Sequence, residues 1–317
     1  MKQLELFQLP AMGTLYQGDA LEILRQLPDG SVHTCVTSPP YWGLRDYGVE
    51  GQIGLEKTPE EYVEKLVAIF REVRRVLRDD GTLWLNLGDC YTSGGRATRA
   101  PDRKSGAREM DVRPPTPFGL KPKDLVMIPF RVALALQADG WYVRSTIIWY
   151  KPNCLPESVK DRPTTAHEYI FLMSKSPRYY YDADAIAEEA TGRDPGNKSH
   201  KHEILGGTKA GLCNIGPKTR RNKRSVWTIP TRPFKEAHFA VFPPDLIEPC
   251  ILAGSPPDGV VLDPFFGSGT TGLVAQKHGR QWIGVELNPE YIRIAEERLG
   301  NIKMVANTET EAWPIPS

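Results

Sequence analysis

Two short runs hold the residues whose types and spacing could do chemistry. In TSPPYW, residues 37–42, a hydroxyl, two prolines and two aromatics follow the end of an apolar strand. Ser38 offers a hydrogen-bond acceptor, and Pro39 and Pro40 fix the direction of the backbone carbonyls beside it because the pyrrolidine ring locks φ. Tyr41 and Trp42 add flat apolar faces. The second run, residues 259–299, reads as a strand, a tight glycine turn, a helix, a second strand ending in an acid, and another helix. That is half of a nucleotide-binding βαβ unit. Gly267 and Gly269 let the backbone approach a ligand at a helix N-terminus, and Glu286 is placed to accept hydrogen bonds from ribose hydroxyls. The turn G-S-G-T-T-G also fits the dinucleotide spacing through Gly272, so the glycines alone do not choose the ligand. Asp263 and Pro264, however, replace the apolar approach expected of a pyrophosphate binder. Asp263 can engage the charged amino-acid part of a ligand, directly or through water.

These residues need strands to end on and helices to begin. Short β-branched or aromatic runs closed by turn residues predict strands at 14–17, 32–37, 82–87, 142–150, 168–173, 260–263 and 282–287. Helical periodicity fills the intervals, over 19–27, 59–77, 122–139, 244–254, 269–279 and 289–299. Thr58 before Pro59 and Asn288 before Pro289 are N-caps ahead of a proline at the first helical position. The alternation predicts an α/β fold with a largely parallel, doubly wound sheet. No internal repeat is visible.

At 317 residues and 40% hydrophobic, the chain can bury a real core. No apolar run reaches the ~18 residues of a membrane span. The opening MKQLELFQLPAMG lacks the apolar core and cleavage site of a signal peptide, so a cytoplasmic location is expected. The five cysteines form no C-x-x-C pair, which predicts neither a disulfide framework nor a zinc site. His200 and His202 stand in a basic loop as an H-x-H pair expected to be solvated, and no metal is expected. Net charge is only +1 but unevenly spread: residues 93–119 hold six Arg/Lys against three Asp/Glu, and residues 192–225 nine against two. Together they carry +10, leaving the remainder near −9. Two basic, Gly/Pro-rich insertions on an acidic body are what phosphate-tracking loops look like, although solvated loops share the composition.

DPFFGSG resembles the S-adenosylmethionine site of DNA amino-methyltransferases, and TSPPYW resembles the catalytic motif of their β class. Similar segments cover most of the chain outside the insertions, including MIPFRVALALQADGWYVRSTIIWYKPN and HEYIFLMSKSPRYYYD; PFFG departs from many relatives in the residue between Pro and Gly. The resemblance implies a Rossmann-like methyltransferase sheet in one catalytic domain over 1–317, with circularly permuted motif order. The catalytic strand precedes the cofactor strand by more than two hundred residues, and both basic insertions fall in the target-recognition interval between them. The implied cofactor is S-adenosylmethionine, held by Asp263, Phe265, Gly267, Ser268, Gly269, Thr270 and Glu286. Phe239 and Phe242 would cover its methionine end. Asp19 would contact the adenine amino group while also capping a helix.

The implied catalytic residues are Ser38, Pro39, Pro40 and Tyr41. An exocyclic amino nitrogen shares its lone pair with the ring and is a poor nucleophile until acceptors draw its protons. The Ser38 hydroxyl and the Pro39 carbonyl would be those acceptors. Serine in the first motif position is common for cytosine N4, aspartate for adenine N6. The target base would be rotated out of duplex DNA at a cost of a few kcal/mol, roughly, offset in part by stacking on Tyr41 at ~1–3 kcal/mol. Trp42 would line the same pocket or pack beneath it. Arg96, Arg99, Lys218, Arg220, Arg221, Lys223 and Arg224 would contact phosphates, and a cognate restriction endonuclease would act separately. Three rivals remain. Cytosine C5 chemistry needs a cysteine nucleophile after a proline, which Pro249-Cys250 supplies only inside an apparent helix, while Cys35 faces a strand body. Adenine N6 methylation shares the mechanism. A catalytically silent DNA-binding protein would share the fold, and its failure to transfer labelled methyl would separate it.

Overall fold

The computed structural model describes residues 12–92, 116–117, 119–190, 219–232, 242–300 and 302–306. The strands are β1 (Gly13–Gln17), β2 (Val32–Thr37), β3 (Leu77–Leu87), β4 (Tyr142–Tyr150), β5 (His167–Ser174), β6 (Glu188–Glu189), β7 (Arg220–Arg221), β8 (Val226–Thr228), β9 (Val260–Asp263), β10 (Gln281–Glu286) and β11 (Lys303–Ala306). The helices are α1 (Ala20–Gln26), α2 (Pro59–Val76), α3 (Ile128–Ala138), α4 (Pro244–Gly254), α5 (Thr270–Lys277) and α6 (Pro289–Leu299). One sheet runs β11-β1-β10-β9-β2-β3-β5-β4-β8, and β6 pairs with β7 apart from it. From β11 to β3 every pairing is parallel, whereas β5 lies antiparallel to both β3 and β4.

Because successive side chains alternate across a strand, each strand feeds two cores. Cys35, Leu83, Leu85, Leu262 and Ile283 point to a cluster with residues of α1, α2 and α3. Their neighbours Val36, Trp84, Val261 and Trp282 join residues of α4, α5 and α6 on the other face. The sheet is thus doubly wound, as the alternation predicts. Helix α2 shows how sequence sets this packing. Its buried residues Tyr62, Leu66, Ile69, Phe70 and Val73 recur every three or four positions. Its first turn is closed by Thr58, whose Oγ1 accepts from the Glu61 N–H at 3.2 Å.

The bounds of β2, β4, β9, α4 and α6 agree with the sequence reading. Helix α3 starts later than its periodicity suggests, because Lys123 and Met127 adopt left-handed φ of 69° and 63° and keep the preceding segment out of the helix. Its first N–H groups find the Asp89 carboxylate instead, which accepts from Ile128 N at 3.1 Å. Strands β6, β7, β8 and β11 have no counterpart among the predicted strands.

Candidate active site

Strand β2, which ends in the serine-proline run, lies directly beside β9, which ends in the glycine turn, with Thr34 opposite Val261 and Cys35 opposite Leu262. Two segments far apart along the chain therefore release their ends at one edge of the sheet, the crevice where open parallel sheets hold ligands. A cavity of about 350 Å³ opens there, and both Ser38 and Gly267 line it.

The junction is pinned by Asp263. Its Oδ1 accepts from Thr37 Oγ1 at 2.6 Å and from Phe265 N at 3.0 Å, and its Oδ2 accepts from Thr271 Oγ1 at 2.6 Å. With 1% exposure it stands behind the cavity wall. Burial pushes its carboxyl up to about 6, while the two threonines and the amide hold it down. Its oxygens tie β2, β9 and α5 together. Gly269 does not line the cavity. With φ +83°, a Cβ there would lie 3.0 Å from Leu299 and 3.2 Å from Ala295, so the glycine permits close packing of α5 on α6.

Phe242, Phe265, Gly267, Ser268, Thr270 and Glu286 line the cavity. Asp19 lines it too, and its Oδ1 caps α1 by accepting from Glu22 N at 3.0 Å. Glu286 accepts from Gly267 N at 2.7 Å and Asn288 N at 2.8 Å. Burial raises this carboxyl to about 7, with the Asp263 charge adding to the shift against the lowering effect of the two amides. A partly buried acid on a cavity wall, with lone pairs to spare, fits the hydroxyls of a ribose. The Ser268 hydroxyl and carbonyl are held by Arg298 at 2.8 and 2.6 Å, which fixes the turn from outside. Phe239 lies outside the described residues.

At the other end stand Ser38, Pro39, Pro40 and Tyr41. The Pro40 carbonyl accepts from Tyr62 Oη at 2.8 Å, whereas the Pro39 carbonyl has no protein partner among the described residues. The Tyr41 hydroxyl donates to Glu168 Oε2 at 2.8 Å, with Asn86 Oδ1 3.2 Å and Ser38 Oγ 3.5 Å from its oxygen. Burial, then the Glu168 charge, raises the Tyr41 phenol far above its usual range. Trp42 is 3% exposed and donates to the Glu56 carbonyl at 2.9 Å, so of the two readings the packing one holds. A loop whose neck closes from Gly43 N to Gly54 O at 2.8 Å sets Arg45, Tyr47 and Gln52 on the cavity wall. Tyr47 meets Tyr291 of α6 edge-on, with ring centroids 6.2 Å apart.

Lys151, Glu168, Asn86, Tyr47 and Tyr291 are cavity residues that sequence reasoning missed. The available signal was weak: Lys151 and Glu168 stand in the WYKPN and HEYIF segments, at the ends of two strands whose pairing no local pattern reveals.

The phosphate assignments fare differently. Arg221 Nε and Arg224 Nε both donate to Glu188 Oε1, at 2.9 and 2.6 Å, and Arg220 donates to the Ala187 carbonyl at 3.0 Å. Lys223 lies over the Trp227 ring, 5.2 Å from its centroid. None lines the cavity. These arginines hold the β6–β7 pair in place through Glu188 and the Ala187 carbonyl. Arg96, Arg99 and Lys218 lie outside the described residues, as do His200 and His202. Among the described residues no cluster of three or more His, Cys, Asp or Glu could hold a metal, and no helix is long and apolar enough to cross a membrane. Cys250 is 1% exposed inside α4 and burial raises its thiol, while Cys35 is wholly buried.

The DNA methylase family model, covering N6 and N4 enzymes, matches residues 32–297. The chain is 58% identical to the type II methyltransferase M.XycI of Xanthomonas campestris pv. cyanopsidis, over 90% of this chain and 87% of that one. It is 54% identical to M.SmaI of Serratia marcescens, over 89% of each. In three dimensions it is similar to the cytosine-N4-specific PvuII DNA methyltransferase, with TM-score 0.63 and 22% identity over 92% of this chain and 89% of that one. It is also similar to a DNA modification methylase of Thermus thermophilus in complex with S-adenosyl-L-methionine, with TM-score 0.58 and 27% identity over 92% and 99%. With the glycine turn and the serine-proline run on one cavity, the chain belongs to the N6/N4 DNA methylase family and is a type II methyltransferase that uses S-adenosylmethionine.

Proposed function

We propose that this chain methylates the exocyclic N4 of cytosine in duplex DNA, on a nucleotide rotated out of the helix. The observation that carries the reading is the pair of acceptors at the end of β2. Ser38 and the Pro39 carbonyl, which has no partner among the described residues, share one cavity with the Gly267 turn and Glu286. Bound S-adenosylmethionine supplies an electrophilic methyl group on a sulfonium centre. Ser38 Oγ and Pro39 O would accept hydrogen bonds from the two amino hydrogens and localise the nitrogen lone pair; the N–CH3 bond would form as the sulfonium's S–CH3 bond breaks, the thioether would leave, and the surplus amino proton would pass to solvent. Tyr62 keeps the Pro40 carbonyl occupied and so fixes the backbone that aims its neighbour. Much of the remaining acceleration comes from holding the reactants in line. Tyr41 receives the base face, and stacking offsets part of the cost of extrusion.

Around the cofactor, Glu286 takes the ribose hydroxyls and Asp19 the adenine amino group. Phe242, with Phe239, covers the methionine end, and Gly267, Ser268, Phe265 and Thr270 form the wall. The whole chain acts as one catalytic domain, and the basic insertions at 93–119 and 192–225 contact the duplex. A restriction endonuclease of the same site specificity is the expected separate partner of a type II enzyme.

Mass spectrometry of nucleosides from treated DNA tests the reading. N4-methylcytosine is expected. N6-methyladenine would move the assignment to the other amino group, and 5-methylcytosine would refute the amino chemistry.

A further inference from the structure

On the cavity wall beside Tyr41 lies a polar cluster of Asn86, Lys151 and Glu168 that the chemistry above leaves unused. Trp149 of β4 stands opposite Glu168 of β5. Lys151, just past the end of β4, pairs with Glu168 Oε1 and lies over the Trp149 ring, 4.1 Å from its centroid. The second oxygen of Glu168 accepts from Tyr41 Oη at 2.8 Å and from Asn86 Nδ2 at 3.4 Å. Asn86 completes the ring: its Oδ1 lies 3.2 Å from Tyr41 Oη, and its Nδ2 donates to the Tyr169 carbonyl at 3.1 Å. On the far side the Tyr41 ring is seated on Gly88, where an added Cβ would lie 2.5 Å from Tyr41 Cε2. The phenol is thus held at its oxygen by residues from two strands and along its edge by a glycine.

The geometry points to Glu168, backed by Lys151, as a positioning residue: it locks Tyr41 and Asn86 into one rigid wall that receives the target base. This rests on the reading that Tyr41 faces that base. A half-buried ion pair is a poor device for stability alone, since apolar packing of similar volume does as well or better. What the pair adds is direction. Lysine holds the carboxylate, the carboxylate holds the phenol oxygen, and the ring plane is set before the base arrives, so no ordering cost falls at that step.

The test is a double-mutant cycle in the full chain, reading kcat for methyl transfer at saturating cofactor and the dissociation constant of S-adenosylmethionine. Tyr41→Phe keeps the stacking face but removes the hydroxyl. Tyr41→Phe and Glu168→Ala should each lower kcat by about tenfold to a hundredfold. The double variant should be no slower than the slower single, because both cut the same link. Cofactor affinity should stay unchanged throughout. Glu168→Gln, whose amide oxygen still accepts from the phenol, should recover most of the rate; if Glu168→Ala does not fold, Glu168→Leu, which fills the space without an acceptor, takes its place in the cycle. Multiplying effects in the double variant, or wild-type kcat in Glu168→Ala, would overturn the proposal. Tyr41→Ala separates the levels. If it retains full turnover, the stacking reading itself has failed. If it loses turnover while the cycle is multiplicative, only the positioning role has failed.

Discussion

Glu286 carries a consequence that belongs to a single residue. Burial lifts its carboxyl from the usual glutamate range to about 7, yet a ribose diol donates hydrogen bonds best to the ionised form. Binding must then stabilise the carboxylate and release a proton wherever the free protein holds one. By linkage, cofactor affinity weakens as pH falls below about 7, by up to about tenfold per pH unit, and levels off above it. Calorimetric titrations between pH 5.5 and 8 should trace that slope, and Glu286→Gln should flatten it. A wild-type affinity indifferent to pH in this window would show that the carboxylate does not face the ligand. At this scale the sequence was partly legible. Ser38, Glu286 and the glycine turn announce themselves because each is placed by its own strand end. Asp263 is placed by its strand end too, but only the proximity of Thr37, 226 positions away, shows where its hydrogen bonds go.

Strands and helices decide whether such residues can work together. The Thr37–Asp263–Thr271 chain is the bolt between the catalytic and the cofactor strand, and it is wholly buried. Thr37→Val keeps the shape but withdraws a donor from a buried carboxylate, at a cost of about 1–3 kcal/mol. Equilibrium urea unfolding should report that loss, and undiminished stability would mean the carboxylate had another partner. Elements bounded by strong punctuation were readable in advance. Helix α6 starts at Pro289 after an Asn288 cap and stops before Gly300. β8 was not readable, since three residues in a basic stretch become a strand only by pairing with β4. The same holds for the Lys151–Glu168 pair, which exists because β4 and β5 run antiparallel in one particular register. Local patterning does not encode registers between strands.

Across the whole molecule, charge and topology divide the labour. The sheet places the two motif strands side by side, and the basic insertions hang in the interval between them along the chain. If the insertions track phosphates, neutralising Arg96, Arg99 or Lys218 should each lower the slope of log affinity for DNA against log salt by about 1. Arg221→Ala, which breaks a pair with Glu188, should leave that slope alone and lower thermal stability instead. The opposite pattern would put DNA on the β6–β7 pair. Ser38 and the glycine turn line one cavity and are proposed to serve one reaction. Methyl transfer by Ser38→Ala at saturating S-adenosylmethionine is the most direct measurement of that proposal. A fall in kcat of about a hundredfold or more is expected, consistent with the loss of an oriented acceptor in the transition state. Wild-type turnover by that variant would contradict the account.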